Sequence, residues 1–155
     1  MNDKELKQKT NTACYTLMKE TGVISTVDVL MEIGVLSKSD YEMWRRGGYD
    51  FLEGVCKINL RKLSTVNREI RAFAKKNNLN SSWTFYKQWS NGKAKPKKNG
   101  QGTPAKLPKL RFSKSGDDNI ERQYATHYIS RQTLDGIKER RQQVINNSID
   151  SNHNH

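Results

Sequence analysis

Three carboxylates and one histidine within residues 117–127 are the side chains whose types and spacing could perform chemistry. Asp117 and Glu121 lie four residues apart, Asp118 stands between them, and His127 follows. On a helix this spacing places two carboxylates on one face, where they could hold Mg²⁺ while His127 acts as a base. Such an arrangement would suit a metal-dependent nuclease.

A structural role explains the same four residues more simply. Asp117 and Asp118 are favourable at the start of a helix, and Glu121 is favourable in its first turn. A lone histidine commonly satisfies a hydrogen bond within a fold. The sequence has no Gly-rich nucleotide loop, no paired CxxC, no HExxH and no GxSxG motif. We therefore favour a protein that is not an enzyme, and we expect no catalytic residues, no metal site and no cofactor.

The excess positive charge of the chain lies in one region, residues 57–116. Sixteen Lys or Arg residues fall there against one acid, Glu69, while the two flanking regions are slightly acidic and the whole chain carries +12. A regional field of this kind concentrates polyanions and steers their approach. The sequence thus favours a nucleic acid as the partner, DNA or RNA, over an acidic protein, a membrane surface or no specific anion.

Within this region the pattern predicts a basic amphipathic helix from Leu60 to about Asn77. Its apolar residues recur at intervals of three and four, so at about 100° per residue they form one stripe. The stripe is Leu63, Val66, Ile70, Phe73 and Ala74, and the opposite flank carries Arg61, Arg68, Arg71 and Lys75. A charged face is often merely solvated, but such a face usually mixes signs, and here Glu69 is the single acid. We expect these four cations to be the rigid part of a phosphate contact.

Residues 90–109 predict a flexible basic loop, because they contain three Pro, three Gly, several Lys and no acid. Such a loop would follow a phosphate backbone without reading bases. The adaptable part of the contact is expected from Lys93, Lys95, Lys97, Lys98, Arg111 and Lys114. The segment SKSG, residues 113–116, precedes a predicted helix and could bind one phosphate through its backbone amides.

Aromatic residues cluster just before this loop, at Trp83, Phe85, Tyr86 and Trp89. Aromatic rings beside cations can stack on unpaired bases. A chain with few apolar residues also needs large rings to close its core. We expect Trp83, Phe85 and Tyr86 to lie in the core and Trp89 to be the exposed ring that stacks.

Two short helices, 27–33 and 37–45, meet at Gly34 and form a helix-turn-helix-like hairpin. The second helix opens with Asp40 and Glu42, which the phosphates of a DNA groove would repel. We therefore expect the hairpin to pack the core rather than to read DNA.

The fold predicted from these patterns is mostly α, a single compact helical domain of five to seven helices with a long basic loop. Helical spacing also occurs in residues 4–19, 49–59, 120–128 and 134–145. We place the helical domain at residues 1–130 and a C-terminal helix with a disordered tail at residues 131–155. An apolar fraction of 34% predicts a small core.

The two cysteines, Cys14 and Cys56, stand among apolar neighbours and are expected to be buried free thiols in a reducing compartment. The sequence shows no signal peptide and no apolar run long enough to span a membrane. We therefore expect a cytoplasmic protein with no membrane span.

Three stretches, WRRGGYDFLE, KINLRKLSTVNREIR and LRFSKSGDDNIERQYATHYI, resemble a group of small basic bacterial hypothetical proteins of unassigned function. The resemblance covers about residues 23–130 and implies a bacterial or phage origin, without an activity or site residues. The residues themselves predict a non-catalytic nucleic-acid-binding protein that contacts mainly phosphates. A module or phage inhibitor that covers an acidic protein surface is the first alternative, and the metal-dependent nuclease is the second.

Overall fold

The structure is a computed structural model that describes residues 1–90 and 108–153, with side chains through residue 147. Helices dominate this part of the chain, which confirms the prediction of a mostly α fold. In chain order the elements are α1 (Asp3–Glu20), β1 (Val23–Ser25), α2 (Thr26–Glu32), α3 (Lys38–Arg45), a 3₁₀ helix (Leu52–Val55), α4 (Leu60–Lys76), β2 (Asn80–Trp83), α5 (Asp118–Ala125), β3 (Thr126–Ile129) and α6 (Arg131–His153).

The three strands form a small antiparallel sheet in the order β1-β3-β2, which the sequence analysis did not predict. Ile129 of β3 lies opposite Val23 on one side and Asn80 on the other. The helical spacing of residues 120–128 is interrupted, because α5 ends at Ala125 and the chain continues as β3. Thr, Tyr and Ile in β3 favour an extended backbone, and two neighbouring strands satisfy its hydrogen bonds.

The helix predicted over residues 49–59 is reduced to the four-residue 3₁₀ helix. Its amides have partners elsewhere: Leu52 N–H donates to the Arg111 carbonyl at 3.2 Å, and Glu53 N–H donates to the Phe112 carbonyl at 2.9 Å. These contacts replace the bonds that would continue a helix, so a distant segment overrides the local pattern.

Helices α1 and α4 pack along each other and supply much of the core. The buried residues are Leu6, Ala13 and Cys14 in α1 and Leu63, Val66 and Ile70 in α4. Both cysteines are free, Cys14 being buried and Cys56 half-buried. Burial raises the pKa of each thiol to about 12, so both are protonated near neutral pH.

An extended segment, residues 110–113, passes through an aromatic cluster at the centre of the fold. The Phe112 ring is fully buried, with its centroid 5.1 Å from those of Trp44 and Tyr86 and 5.4 Å from that of Tyr124. The Trp44 indole N–H also donates to the Arg111 carbonyl at 2.8 Å. Because Trp44 belongs to α3, this contact places the predicted hairpin against the core.

The buried carboxylate of Glu121 fixes the same segment from α5. It accepts hydrogen bonds from the Phe112 amide at 3.0 Å, the Ser113 amide at 2.7 Å and the Ser113 hydroxyl at 2.6 Å. Hydrogen bonds to an ionised acceptor are stronger than neutral ones, and buried polar groups are costly without partners. Glu121 therefore has a structural role in joining α5 to the extended segment.

Helix α6 starts after β3, with Ser130 as its cap: the Ser130 hydroxyl accepts from the Thr133 amide at 3.2 Å. The helix continues to His153, beyond the Ile145 at which the spacing predicts its end.

The first prediction is that Glu121→Gln destabilises the fold. An amide at this position turns an NH₂ donor toward the donors of Phe112 or Ser113, so at least one buried hydrogen bond is lost. We expect the free energy of unfolding, measured by urea denaturation, to fall by about 2 kcal/mol. Asp118→Asn neutralises an exposed carboxylate of the same helix and should lower the free energy of unfolding by less than about 1 kcal/mol. Equal effects of the two substitutions would contradict the structural role of Glu121.

Candidate nucleic-acid interface

Helix α4 is defined by local signals at both ends. The Asn59 side chain accepts a hydrogen bond from the Lys62 amide at 2.9 Å, which caps the N-terminus. At the other end Asn78 adopts a φ of 53°, a left-handed conformation that asparagine tolerates and that ends the helix. The helix therefore begins and ends within one or two residues of the predicted limits.

The four cations of α4 that are predicted to contact phosphates are all exposed on one face of the helix. They are Arg61, Arg68, Arg71 and Lys75. Between them Ser64 and Ala72 are also exposed, and both are small. Small residues among long cations let a helix approach a ligand closely while the cations reach around it. We name the four cations with Ser64 and Ala72 the basic face of α4.

One cation of the basic face is already paired. The Arg61 guanidinium lies 2.9 Å from the Asp3 carboxylate, and both side chains are exposed. Hydrogen bonding to Arg61 lowers the pKa of Asp3, and the same contact raises the pKa of Arg61. An exposed pair of this kind is weak, so a phosphate could compete for Arg61.

The other three cations, Arg68, Arg71 and Lys75, have no acidic partner within 4 Å in the described part of the chain. Glu69 is turned toward α1, where its carboxylate accepts from the side-chain amide of Asn11 at 3.2 Å. The single acid of the basic region is thus held by α1 at the edge of the basic face, where Glu69 and Ala72 line the same cavity.

Tyr128 of β3 is partly buried and packs against the core. Burial raises the pKa of Tyr128, and the positive charge of Arg71 opposes this rise. Ser81 lies opposite Tyr128 and Trp83 lies opposite Thr126. Because opposed residues, and residues two apart in a strand, share one face, the Trp83 and Tyr128 side chains lie on the same side of the sheet.

Trp83 is an exposed ring, which corrects the expectation that it lies in the core. It is 44% exposed at the end of the edge strand β2. The Arg122 guanidinium lies 4.8 Å from its centroid, and the Phe85 ring packs edge-to-face at 5.0 Å. The Lys109 ammonium lies 3.1 Å from the Phe85 centroid. We name these four residues the Trp83 cluster, in which two cations flank two aromatic rings.

Trp89, predicted as the stacking ring, is 37% exposed but has neighbours that disfavour a nucleic acid. The Arg45 guanidinium lies 5.0 Å from its centroid, and the Tyr41 ring packs edge-to-face at 5.8 Å. Trp89 and Tyr41 line an open cavity together with three carboxylates, those of Asp28, Glu32 and Glu42. Phosphates would be repelled there, so the position of Trp89 does not favour the predicted role.

Arg111 and the SKSG segment, residues 113–116, are engaged within the protein. The Arg111 guanidinium donates to the carbonyls of Ser113, at 3.2 Å, and of Lys114. The amides of residues 113, 114, 116 and 117 donate to Glu121, Glu53, the Ser113 hydroxyl and the Ser115 hydroxyl. These amides are therefore not free for a phosphate, whereas the Lys114 side chain is exposed.

The carboxylates and histidine suggested for Mg²⁺ are not arranged as a metal site. Asp117 caps α5 by accepting from the amides of Asn119 and Ile120. Glu121 is engaged as described above, and the His127 imidazole contacts the Tyr86 hydroxyl at 3.2 Å and the Ala125 carbonyl at 3.1 Å. Across the described residues, no three or more His, Cys, Asp or Glu side chains are grouped to hold a metal.

Lys93, Lys95, Lys97 and Lys98 lie outside the described residues, so their predicted contacts stay predictions. The two chain segments that flank them are paired with each other. Gln88 N–H donates to the Pro108 carbonyl at 2.9 Å, and Leu110 N–H donates to the Tyr86 carbonyl at 2.8 Å. The segment that carries these lysines therefore leaves and rejoins the fold at one place.

No protein-family model, curated protein or solved structure gives a significant match to this chain. Among the described helices, none combines the length and the apolar character needed to cross a bilayer. Function must therefore be inferred from the charge and geometry of the basic face.

The second prediction tests whether Arg111 is structural. Arg111→Lys keeps the charge but loses the planar fork that reaches two carbonyls. We expect the free energy of unfolding to fall by about 1 kcal/mol in urea denaturation. The control is Lys114→Arg, the reverse type of substitution at an exposed side chain. It should change the free energy of unfolding by less than about 0.5 kcal/mol. Unchanged stability of Arg111→Lys would mean that the guanidinium is free to act elsewhere.

Proposed function

We propose that the protein binds double-stranded DNA without catalysis and contacts mainly phosphates through the basic face of α4. The observation that carries the proposal is the set of three exposed cations, Arg68, Arg71 and Lys75, without an acidic partner among the described residues. Like charges on one helix face repel each other, and an anion beside them relieves that repulsion.

The dimensions of α4 favour a duplex. Its 17 residues give a length of about 25 Å. A B-form major groove is about 12 Å wide and admits a helix, whereas the major groove of duplex RNA is too narrow for side chains to read. The small residues Ser64 and Ala72 would allow the helix to approach the groove, and the flanking cations would reach phosphates on both sides.

The order of elements also supports this proposal. Helix α2 precedes α4 and packs on it, the Thr26 hydroxyl donating to the Asn67 side chain at 2.7 Å. Strands β2 and β3 follow, in a sheet of order β1-β3-β2. By analogy of topology alone, this is the order of a winged helix-turn-helix in which α4 is the second helix and residues 33–59 are an insertion. The hairpin expected at residues 27–46 would then contribute α2 rather than α3.

The connection between β2 and β3 would supply a second contact. It contains the predicted basic loop, and its flanking segments are joined by the hydrogen bonds at Gln88 and Leu110. A basic segment whose two ends are held together in the fold could follow a phosphate backbone. Lys93, Lys95, Lys97 and Lys98 would act there, and the binding would be weakly selective for sequence.

The third prediction removes three charges from α4. Arg68→Ala/Arg71→Ala/Lys75→Ala should weaken binding to a labelled blunt duplex, measured by fluorescence anisotropy from about 50 to 200 mM salt. Each lost phosphate contact lowers the slope of log K against log salt by about 0.9, so the slope should fall by about 2.7. Affinity at the lowest salt should fall at least about tenfold.

A matched control removes the same residue types from α6. Lys138, Arg140 and Arg141 are exposed, and replacing them by Ala lowers the net charge equally. That control should change the slope by less than about 1. Equal losses of DNA affinity in both triple variants would mean that binding depends on the net charge of the protein and not on the position of the cations on α4. Failure of the wild-type protein to bind any duplex would contradict the proposal and direct attention to acidic protein surfaces.

A further inference from the structure

The Trp83 cluster has the composition of a site for unpaired bases. Aromatic side chains stack on bases of any sequence because each base has a flat π face, and cations beside them hold the backbone. Trp83 supplies the exposed ring, Phe85 supports it edge-to-face, and Arg122 and Lys109 supply the cations. Against the described residues Trp83 keeps 44% of its surface exposed, whereas Trp44 is fully buried in the core.

The position of the cluster links it to α4. Strand β2 begins shortly after α4, and its last residue, Trp83, lies about 10 Å from its first, Asn80. In the sheet Ser81 lies opposite Tyr128 and Trp83 opposite Thr126, so Trp83 and Tyr128 share one side of the sheet. A strand that leaves a duplex held by α4 could therefore reach Trp83 within a few nucleotides.

We propose that Trp83 stacks on an unpaired base and that the preferred ligand is duplex DNA adjoining a single-stranded segment. Arg122 and Lys109 then contact the phosphates on either side of the stacked base. This inference rests on the proposed function, since α4 holds the duplex part. It goes further by specifying the form of the nucleic acid and a residue that recognises it.

Charge distinguishes this site from the cavity at Trp89. At Trp83 the charged groups in contact with the rings are a guanidinium and an ammonium, which attract phosphates. At Trp89 the Arg45 guanidinium also contacts the ring, but the cavity lining carries three carboxylates, those of Asp28, Glu32 and Glu42, against one ammonium, that of Lys38, so acids outnumber cations there. The two exposed tryptophans therefore provide a matched pair for an experiment.

The fourth prediction compares two labelled ligands, a blunt duplex and the same duplex with a six-nucleotide dT overhang. The wild-type protein should bind the overhang form at least about fivefold more tightly, as stacking of one base allows. Trp83→Ala should abolish this preference and leave blunt-duplex affinity within about twofold. Trp83→Phe should retain most of it, and Trp89→Ala should retain all of it.

Intrinsic tryptophan fluorescence gives a second readout. Stacking on a base should quench Trp83, so overhang DNA should quench the wild-type protein and Trp89→Phe but not Trp83→Phe. Equal binding of both ligands by the wild-type protein would overturn the inference and leave duplex binding intact. Loss of blunt-duplex binding in the α4 triple variant with retained Trp83-dependent quenching by single-stranded dT would support the Trp83 site independently. If the quenching disappears in Trp89→Phe and persists in Trp83→Phe, the base contacts Trp89, and the inference is overturned.

Discussion

The extended segment of residues 110–113 is the constraint on which the rest of the structure depends. Glu121 holds its amides, Leu52 and Glu53 of the 3₁₀ helix hold its carbonyls, and its Phe112 ring fills the aromatic cluster. The hydrogen bonds from Leu52 and Glu53 join parts of the chain about sixty residues apart in sequence. They also fix where the long β2 to β3 connection returns to the fold, and thereby where its basic residues can act.

The Tyr124 hydroxyl extends this network by donating to Glu53 at 2.8 Å. Burial and this hydrogen bond raise the pKa of Tyr124, so its hydroxyl is a donor near neutral pH. Two carboxylates from the slightly acidic flanks of the basic region, Glu53 and Glu121, are thus used to anchor the extended segment and the residue that follows it.

Sequence reasoning identified α4 well because its signals are local: an apolar stripe, a capping Asn59 and cations on the opposite flank. It missed the sheet because strands of three or four residues have too little alternation to detect, and their pairing depends on distant partners. The exchange of roles between Trp83 and Trp89 has the same cause. Both rings are exposed, but tertiary contacts place Trp89 beside Arg45, Tyr41 and an acidic cavity and leave Trp83 at the end of an edge strand.

The basic loop illustrates a third case. Composition alone places its charge, and the paired segments at Gln88 and Leu110 place its two ends. The Arg111 guanidinium donates to two carbonyls of its own segment, a use that composition does not reveal. Counting cations therefore predicts the field of the protein but not which cations are available. Which cations can bind a ligand is known only when the hydrogen-bond partners of each cation within the protein are known.

The most direct test of the account is a map of the duplex-binding surface by NMR. Amide signals of the ¹⁵N-labelled protein would be followed while a blunt DNA duplex is added at low salt. We predict that the largest shifts arise along the basic face of α4, at Ser64, Arg68, Arg71 and Ala72, and that signals of α6 near Arg140 move little. Shifts concentrated on α6 or α1, with α4 unaffected, would contradict the account.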